Sequence, residues 1–164
     1  MIDHAMRTGA EALLTALQRK GLWVTTAESC TGGLIAAALT AIPGSSASLG
    51  EAYVTYSNAA KQRLLGVPED LLAAHGAVSE AVARAMVEGA LDRAGAGLAL
   101  ACTGIAGPGG AVPGKPVGTV FIAAMLRGAP ARVTRHAFSG DRDTIRAATV
   151  LESFRLGLAQ LTDG

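Results

Sequence analysis

The feature that most constrains the fold of this chain is an uninterrupted apolar run, GLALACTG, at residues 97–104. A strand without polar alternation is typical of the centre of a sheet that is covered on both faces. The run leads directly into a glycine-rich segment, GIAGPGGAVPGKPVG, at residues 104–118. Loops of this length in a compact chain usually have a function. These residues therefore predict a buried strand that carries a functional loop at its carboxyl end.

Strand and helix patterns alternate around this run. Predicted strands cover residues 22–27, 51–57, 97–104, 119–126 and 131–138, and the last two resemble a hairpin joined by the turn RGAP. Predicted helices cover the apolar positions from Met6 to Leu17, residues 31–42, residues 58–66 with Asn58 as a possible cap, residues 68–75, residues 79–94, and the segment that starts at Asp141. This order predicts an α/β layered domain with a mixed sheet, in which an antiparallel pair follows strands that alternate with helices.

Length and composition exclude several classes of protein. A chain of 164 residues, half of them apolar, is about one domain long, so we expect one domain over residues 1–164. No stretch has the roughly 18 consecutive apolar residues that a membrane span needs, and the start of the chain lacks the pattern of a signal peptide. We therefore expect a cytoplasmic protein that does not bind membranes. A net charge of +1, with acids and bases mixed, argues against a nucleic-acid partner.

The two cysteines, Cys30 and Cys102, predict neither a disulfide framework nor a zinc site, because neither lies in a CxxC pair or at zinc-ligand spacing. The three histidines are scattered along the chain, and none suggests a ligand cluster. We expect both thiols to be reduced and no metal to be bound.

Three segments fall at the predicted strand ends, where ligands gather in α/β sheets. They are ESCTGG at residues 28–33, YSNAAK at 56–61 and CTGIAGPGG at 102–110. In the first segment, Ser29 is either an ordinary helix N-cap or a nucleophile held at a tight turn. Under the second reading, Gly32 and Gly33 permit close approach and nearby amides stabilise an oxyanion or a phosphate. Cys30 is expected to have a structural role.

The other two segments contain side chains for proton transfer and binding. Tyr56 and Lys61 are either surface residues or, if burial lowers the lysine pKa, a general base with an orienting hydroxyl. Thr103 ends the apolar strand and is either a turn hydroxyl or a neighbour of an anion-binding loop. Arg142, in the first turn of the last helix, gains nothing from the helix dipole, which favours contact with a ligand such as phosphate.

Four ordered motifs together resemble the CinA C-terminal domain family. They are TAESCTGG with the following residues to Val67, HGAVSEAVARAMVEGA at residues 75–90, ACTGIAGPGGAVPGKPVGTV at 101–120, and GDRDTIR at 140–146. The resemblance extends over about residues 8–162. It implies a three-layer α/β/α sandwich around a mixed, largely parallel sheet. It also implies hydrolysis of the carboxamide of nicotinamide mononucleotide to nicotinate mononucleotide and ammonia, within pyridine nucleotide salvage.

The resemblance also implies roles for individual residues. Ser29 would be the nucleophile, activated by Tyr56 and Lys61, with Thr103 as a further catalytic residue. Substrate-binding candidates are Thr31, Gly32, Gly33, Gly104, Gly107, Gly109, Gly110 and Arg142. The reaction would need no cofactor and no metal, and the protein would form a homo-oligomer. The alternative is a non-catalytic nucleotide-binding or competence/damage-associated regulatory module.

Overall fold

A computed structural model of the chain describes residues 1–163 and contains one five-stranded sheet between two layers of helices. The strands are β1 Val24–Glu28, β2 Tyr53–Val54, β3 Leu98–Gly104, β4 Thr119–Leu126 and β5 Arg132–Ala137. The helices are α1 His4–Lys20, α2 Leu34–Thr40, α3 Asn58–Leu65, α4 Glu69–His75, α5 Glu80–Ala94 and α6 Arg142–Asp163, with a 3-10 turn at Ser45–Ala47.

The strand order is β2-β1-β3-β4-β5. Strand β1 lies between β2 and β3 and is parallel to both, whereas β3, β4 and β5 pair antiparallel, which confirms the predicted hairpin. At the end of β1, Glu28 lies opposite Val54 of β2 and Cys102 of β3. The carboxyl ends of these three parallel strands therefore meet at one edge of the sheet.

Strand β3 contributes to a separate core on each face of the sheet. Leu98, Leu100 and Cys102 pack with apolar residues of α1, α2 and α6, while Ala99 and Ala101 pack with those of α3, α4 and α5. This alternation is the period of two expected of a strand with both faces buried. It confirms the mixed sheet in a three-layer α/β/α arrangement.

Two elements near the first motif are shorter than the sequence predicted. Helix α2 begins at Leu34 rather than residue 31, because Gly32 and Gly33 have φ angles of 60° and 99°, outside the right-handed helical region. Strand β2 has two residues rather than seven, since β1 ends at Glu28 and leaves the residues after Val54 without a strand to pair with. Before β2, the carbonyl of Glu51 accepts the hydroxyl hydrogen of Thr25 at 2.9 Å instead of entering the ladder.

A third correction concerns the start of α3. Ser57, not Asn58, is the N-cap, and its Oγ accepts the amide hydrogen of Ala60 at 3.1 Å. Asn58 is instead the first residue of the helix. Over residues 1–163, each helix is too short or too polar to cross a membrane.

Candidate active site

A cavity of about 270 Å³ lies at the carboxyl ends of β1 and β3. It brings together most of the residues that the sequence predicted to be functional: Ser29, Tyr56, Lys61, Thr103, Gly104, Gly107, Gly109, Gly110 and Arg142. Three larger concavities, of about 740, 590 and 330 Å³, contain none of these residues. We regard this cavity as the candidate site because it brings a candidate nucleophile, Ser29, together with a candidate base, Lys61.

Ser29 and Lys61 form a hydrogen-bonded pair in the cavity. Lys61 lies in the first turn of α3, and its Nζ donates to Ser29 Oγ at 3.0 Å and to the carbonyl oxygen of Thr55 at 2.8 Å. Ser29 follows directly after β1, where its amide donates to the carbonyl of Cys102 at 3.1 Å. A lysine within hydrogen-bond reach of a serine is the geometry of a general base with its nucleophile.

The backbone joins the two members of this pair. The amide of Thr55 donates to the carbonyl of Glu28 at 2.8 Å, and the carbonyl of Thr55 in turn accepts from Lys61. Because Glu28 immediately precedes Ser29, the chain of hydrogen bonds runs from Ser29 through Lys61 and Thr55 back to Glu28. The separation of the nucleophile and the base is thereby fixed by strand pairing.

Burial gives Lys61 the electrostatic property that a base requires. Only 1% of its surface is exposed, and the loss of hydration lowers the pKa of the ammonium group. Negative charge on the neighbouring sulfur atoms of Cys102 and Cys30 would act in the opposite direction and raise the pKa, but burial is the larger effect. The neutral amine, whose lone pair can accept the serine proton, is therefore favoured relative to an exposed lysine.

Tyr56 is not part of the Ser29–Lys61 hydrogen bond. Its hydroxyl accepts from Nη2 of Arg142 at 2.9 Å, and 60% of the residue is exposed. Nη1 of Arg142 donates to the carbonyl of Gly107 at 2.8 Å. The structure thus places Tyr56 with Arg142 and the glycine-rich loop at the mouth of the cavity.

Thr103 and the loop glycines form the opposite wall. Thr103 is buried, and its hydroxyl donates to the carbonyl of Ala77 at 2.8 Å. A Cβ atom at Gly107 would lie 2.5 Å from the side chain of Val117, and its φ of 79° is rarely adopted by other residues. The close packing of this loop therefore requires glycine at position 107.

Thr31, Gly32 and Gly33, which the sequence predicted to bind substrate, do not line the cavity. The hydroxyl of Thr31 donates to Glu28 Oε2 at 2.6 Å, and the amide of Gly33 donates to the same oxygen at 3.1 Å. Glu28, which the sequence reasoning did not single out, therefore occupies the start of α2. The signal in the sequence was a lone carboxylate at the end of the otherwise uncharged strand VTTAE.

Two further residues line the cavity without having been predicted to act there. Asn58 contributes to the wall, one helical turn before Lys61. Cys30 also reaches the cavity, but a hydrogen bond with Cys102, together with burial, raises the pKa of its thiol well above the usual value. Cys30 is accordingly held as a neutral thiol, which is a poor nucleophile.

No group of three His, Cys, Asp or Glu side chains within residues 1–163 is arranged to hold a metal ion.

The fold and the site together define a three-layer α/β/α protein with a serine–lysine pair at the carboxyl edge of its parallel strands. A model of the CinA C-terminal domain matches residues 6–161, and the chain belongs to this family.

Two relatives of known sequence illustrate a difference in length. A CinA-like protein of Citrifermentans bemidjiense is 55% identical over 139 residues, which cover 85% of this chain but 33% of that protein. The chain thus spans about a third of the length of the first curated relatives that it matches. A relative named nicotinamide-nucleotide amidohydrolase PncC, from Enterobacter agglomerans, is 49% identical over 88% of both chains.

Solved structures show the same fold over the whole chain. The competence/damage inducible protein CihA from Agrobacterium tumefaciens is 43% identical, with a TM-score of 0.95 over 98% of both chains. A CinA superfamily protein from Escherichia coli is 37% identical, with a TM-score of 0.90 over 98% of this chain and 93% of that one.

Proposed function

We propose that this protein is a nicotinamide-nucleotide amidohydrolase that converts nicotinamide mononucleotide to nicotinate mononucleotide and ammonia. The observation that carries the proposal is the 3.0 Å hydrogen bond between Ser29 and a buried Lys61 whose pKa is lowered. The name of the relative from Enterobacter agglomerans, which matches nearly end to end, supports the choice of substrate.

In the first step, neutral Lys61 takes the hydroxyl proton of Ser29 while Oγ forms a bond to the carboxamide carbon. The C–N bond of the resulting tetrahedral intermediate then breaks, and Lys61 returns the proton to the departing nitrogen, which leaves as ammonia. Water attacks the acyl-serine with Lys61 again as base, releasing the carboxylic acid product and restoring Ser29.

The positive charge of the substrate favours the reaction in two ways, through Lys61 and through the carboxamide carbon. The pyridinium ring is cationic, so its approach further disfavours a protonated Lys61. The same charge withdraws electrons from the carboxamide carbon and makes it more electrophilic. A lysine base near neutral pH is consistent with this substrate class.

Groups around the pair have complementary roles. The amide hydrogen of Cys30 makes no hydrogen bond to another residue among the 163 described, and it follows the nucleophile directly, so we assign it to the oxyanion. Arg142, at the mouth, and the amides of Gly109 and Gly110 are assigned to the 5′-phosphate. Thr103 is assigned to contact the part of the substrate between the carboxamide and the phosphate. Tyr56 orients Arg142 through their hydrogen bond. No cofactor takes part.

The decisive experiment measures ammonia release from nicotinamide mononucleotide by the unmodified protein, by Ser29→Ala and by Cys30→Ala. We expect release by the unmodified protein, no release by Ser29→Ala despite retained binding of the nucleotide, and release by Cys30→Ala, because only Ser29 is the nucleophile. Binding without release by the unmodified protein would instead indicate a non-catalytic module. Activity in Ser29→Ala together with loss in Cys30→Ala would assign the nucleophile to the thiol.

A further inference from the structure

The carboxylate of Glu28 is fully buried, yet the proposed reaction does not use it. Five donors surround its two oxygens: Thr31 Oγ1 at 2.6 Å, Ile35 N at 3.0 Å and Gly33 N at 3.1 Å on Oε2, and Ala36 N at 2.9 Å and Thr26 Oγ1 at 3.2 Å on Oε1. All five contacts are donated to the carboxylate, so that both of its oxygens act as acceptors.

These contacts determine the course of the chain on both sides of Ser29. The side chain of Glu28 projects from the last residue of β1 and holds amides of the first turn of α2. The intervening turn contains Gly32 and Gly33 with positive φ angles, a conformation that no regular ladder maintains. The nucleophile thus lies between a strand and a helix that one buried carboxylate ties together.

The arrangement differs from the ordinary helix caps of this protein. At α1, Asp3 Oδ1 accepts one amide hydrogen, from Met6 at 2.8 Å, and at α5, Ser79 Oγ accepts one, from Val82 at 3.2 Å. Each of those caps precedes its own helix directly and uses one oxygen. Glu28 instead lies six residues before Leu34 and uses both oxygens, so that the turn itself is enclosed by its contacts.

We propose that Glu28 is a positioning residue for Ser29. By binding the amides and hydroxyls of the turn and of α2, its carboxylate fixes Ser29 Oγ at hydrogen-bond distance from Lys61 and closes the start of α2 to the anionic groups of the substrate. The proposal deepens the proposed amidohydrolase function and rests on it for the identity of the substrate. The positioning of Ser29 itself has a test that is independent of that substrate.

The experiment compares Glu28→Gln and Glu28→Asp with Asp3→Asn, which changes a carboxylate to an amide at a helix start that does not line the cavity. In Glu28→Gln, an NH₂ group replaces one acceptor oxygen and faces a donor, so the turn must shift. Two rates are measured well below the unfolding temperature: hydrolysis of nicotinamide mononucleotide, and covalent labelling of Ser29 by a fluorophosphonate, which needs an aligned Ser29–Lys61 pair but no nucleotide.

We expect Glu28→Gln to lower kcat and the labelling rate on the order of 10- to 100-fold, because misplacement of a reacting group by about 1 Å has effects of this size. KM should change little, since the groups assigned to substrate binding are elsewhere. Glu28→Asp, which keeps both oxygens, should recover part of both rates. Asp3→Asn should leave both rates unchanged, because the amide oxygen can still accept the hydrogen of Met6 and Asp3 does not contact the turn that holds Ser29.

A second variant, Thr31→Val, removes the 2.6 Å hydrogen bond while keeping Glu28 and nearly the same volume. It should lower both rates, less than Glu28→Gln does, and it provides the test if Glu28→Gln does not fold. Normal labelling in every folded Glu28 and Thr31 variant would overturn the positioning role. Labelling of the unmodified protein without hydrolysis of the nucleotide would overturn the proposed function alone, and absence of both labelling and hydrolysis in the unmodified protein would overturn both.

Discussion

An ionisable side chain is buried at each of the two helix starts beside the cavity, Glu28 at α2 and Lys61 at α3. The two side chains differ in how many hydrogen bonds surround them. Glu28 is met by five hydrogen-bond donors, three of them backbone amides. Lys61 is equally buried, yet its Nζ donates to two oxygens, one of which belongs to Ser29. Both residues have almost no exposed surface, so burial alone does not distinguish them.

The difference between them lies in the number of compensating contacts. A buried charge costs free energy unless hydrogen bonds replace its hydration. Glu28 is compensated, and its contacts hold the chain in place. Lys61 is compensated less fully, its pKa is lowered, and its proton is correspondingly easier to remove. In this site Glu28, whose buried carboxylate has many hydrogen bonds, stabilises the structure. Lys61, whose buried amine has fewer, is suited to act as a base.

The largest expected effect comes from removing the amine. Lys61→Ala should lower kcat by about 10²–10⁴-fold, the usual contribution of general acid–base catalysis. Lys61→Arg should not recover the rate, because a guanidinium stays protonated and cannot accept the proton of Ser29. Steady-state kinetics of ammonia release measures both. Substantial recovery in the arginine variant would mean that Lys61 acts only through its positive charge.

A second prediction contrasts stability at the two helix starts. Glu28→Ala should lower the free energy of unfolding by at least about 3 kcal/mol, since several buried donors lose their acceptor. Lys61→Met keeps a similar shape and removes a poorly hydrated amine, so its stability should be unchanged or higher by about 1 kcal/mol, although it should be inactive. Urea unfolding followed by circular dichroism gives both values. Equal loss of unfolding free energy in Glu28→Ala and Lys61→Met would contradict the predicted difference between the two buried side chains.

A third prediction concerns pH. Because the neutral amine is the active form, kcat/KM should fall as pH decreases through the lowered pKa of Lys61, by about tenfold per pH unit. Above that pKa the amine is neutral and the rate should level off. The acidic limb should be absent from the residual activity of Lys61→Ala. An acidic limb that persists in this variant would belong to another group.

The smallest effect is expected at the ordinary cap of α3. Ser57→Ala should lower stability by about 1 kcal/mol, as its Oγ accepts the amide hydrogen of Ala60. Asn58→Ala should change stability by less than about 0.5 kcal/mol, because Asn58 is not the cap. Thermal unfolding of the two variants side by side measures the difference. A larger loss in the Asn58 variant would restore Asn58 as the residue that stabilises the helix start.

Much of the fold was predictable from the sequence because apolar patterns reflect burial directly. The uniform apolar character of residues 97–104 predicted a central strand, and β3 indeed contacts core residues on both faces. The end of α1 is also a local property, because Gly21 adopts the left-handed conformation, with φ 63°, that commonly terminates a helix. The bounds of β2 were wrong because the length of an edge strand depends on where its partner ends, which is not a local property.

The site was predictable in part. Residue types and strand ends indicated Ser29, Lys61 and Thr103 as neighbours, but not that Lys61 would be buried, because burial of a lysine depends on tertiary packing. The contact of Tyr56 with Arg142 joins residues 86 positions apart and has no local signal. Glu28 went unnoticed for a related reason: its five donors lie on both sides of the nucleophile, and only the folded turn brings them together.

The brevity of β2 has a consequence for motion. The two residues of β2, Tyr53 and Val54, pair with β1, whereas β3 pairs with β1 over five residues and with β4 over all seven. Local opening of a protein occurs most readily where few hydrogen bonds and little buried surface must be given up. Opening at this two-residue strand would break the hydrogen bond from the Thr55 amide to Glu28 and so loosen the link between Lys61 and Ser29. We therefore expect local opening at β2, rather than global unfolding, to be the event that most readily separates Lys61 from Ser29.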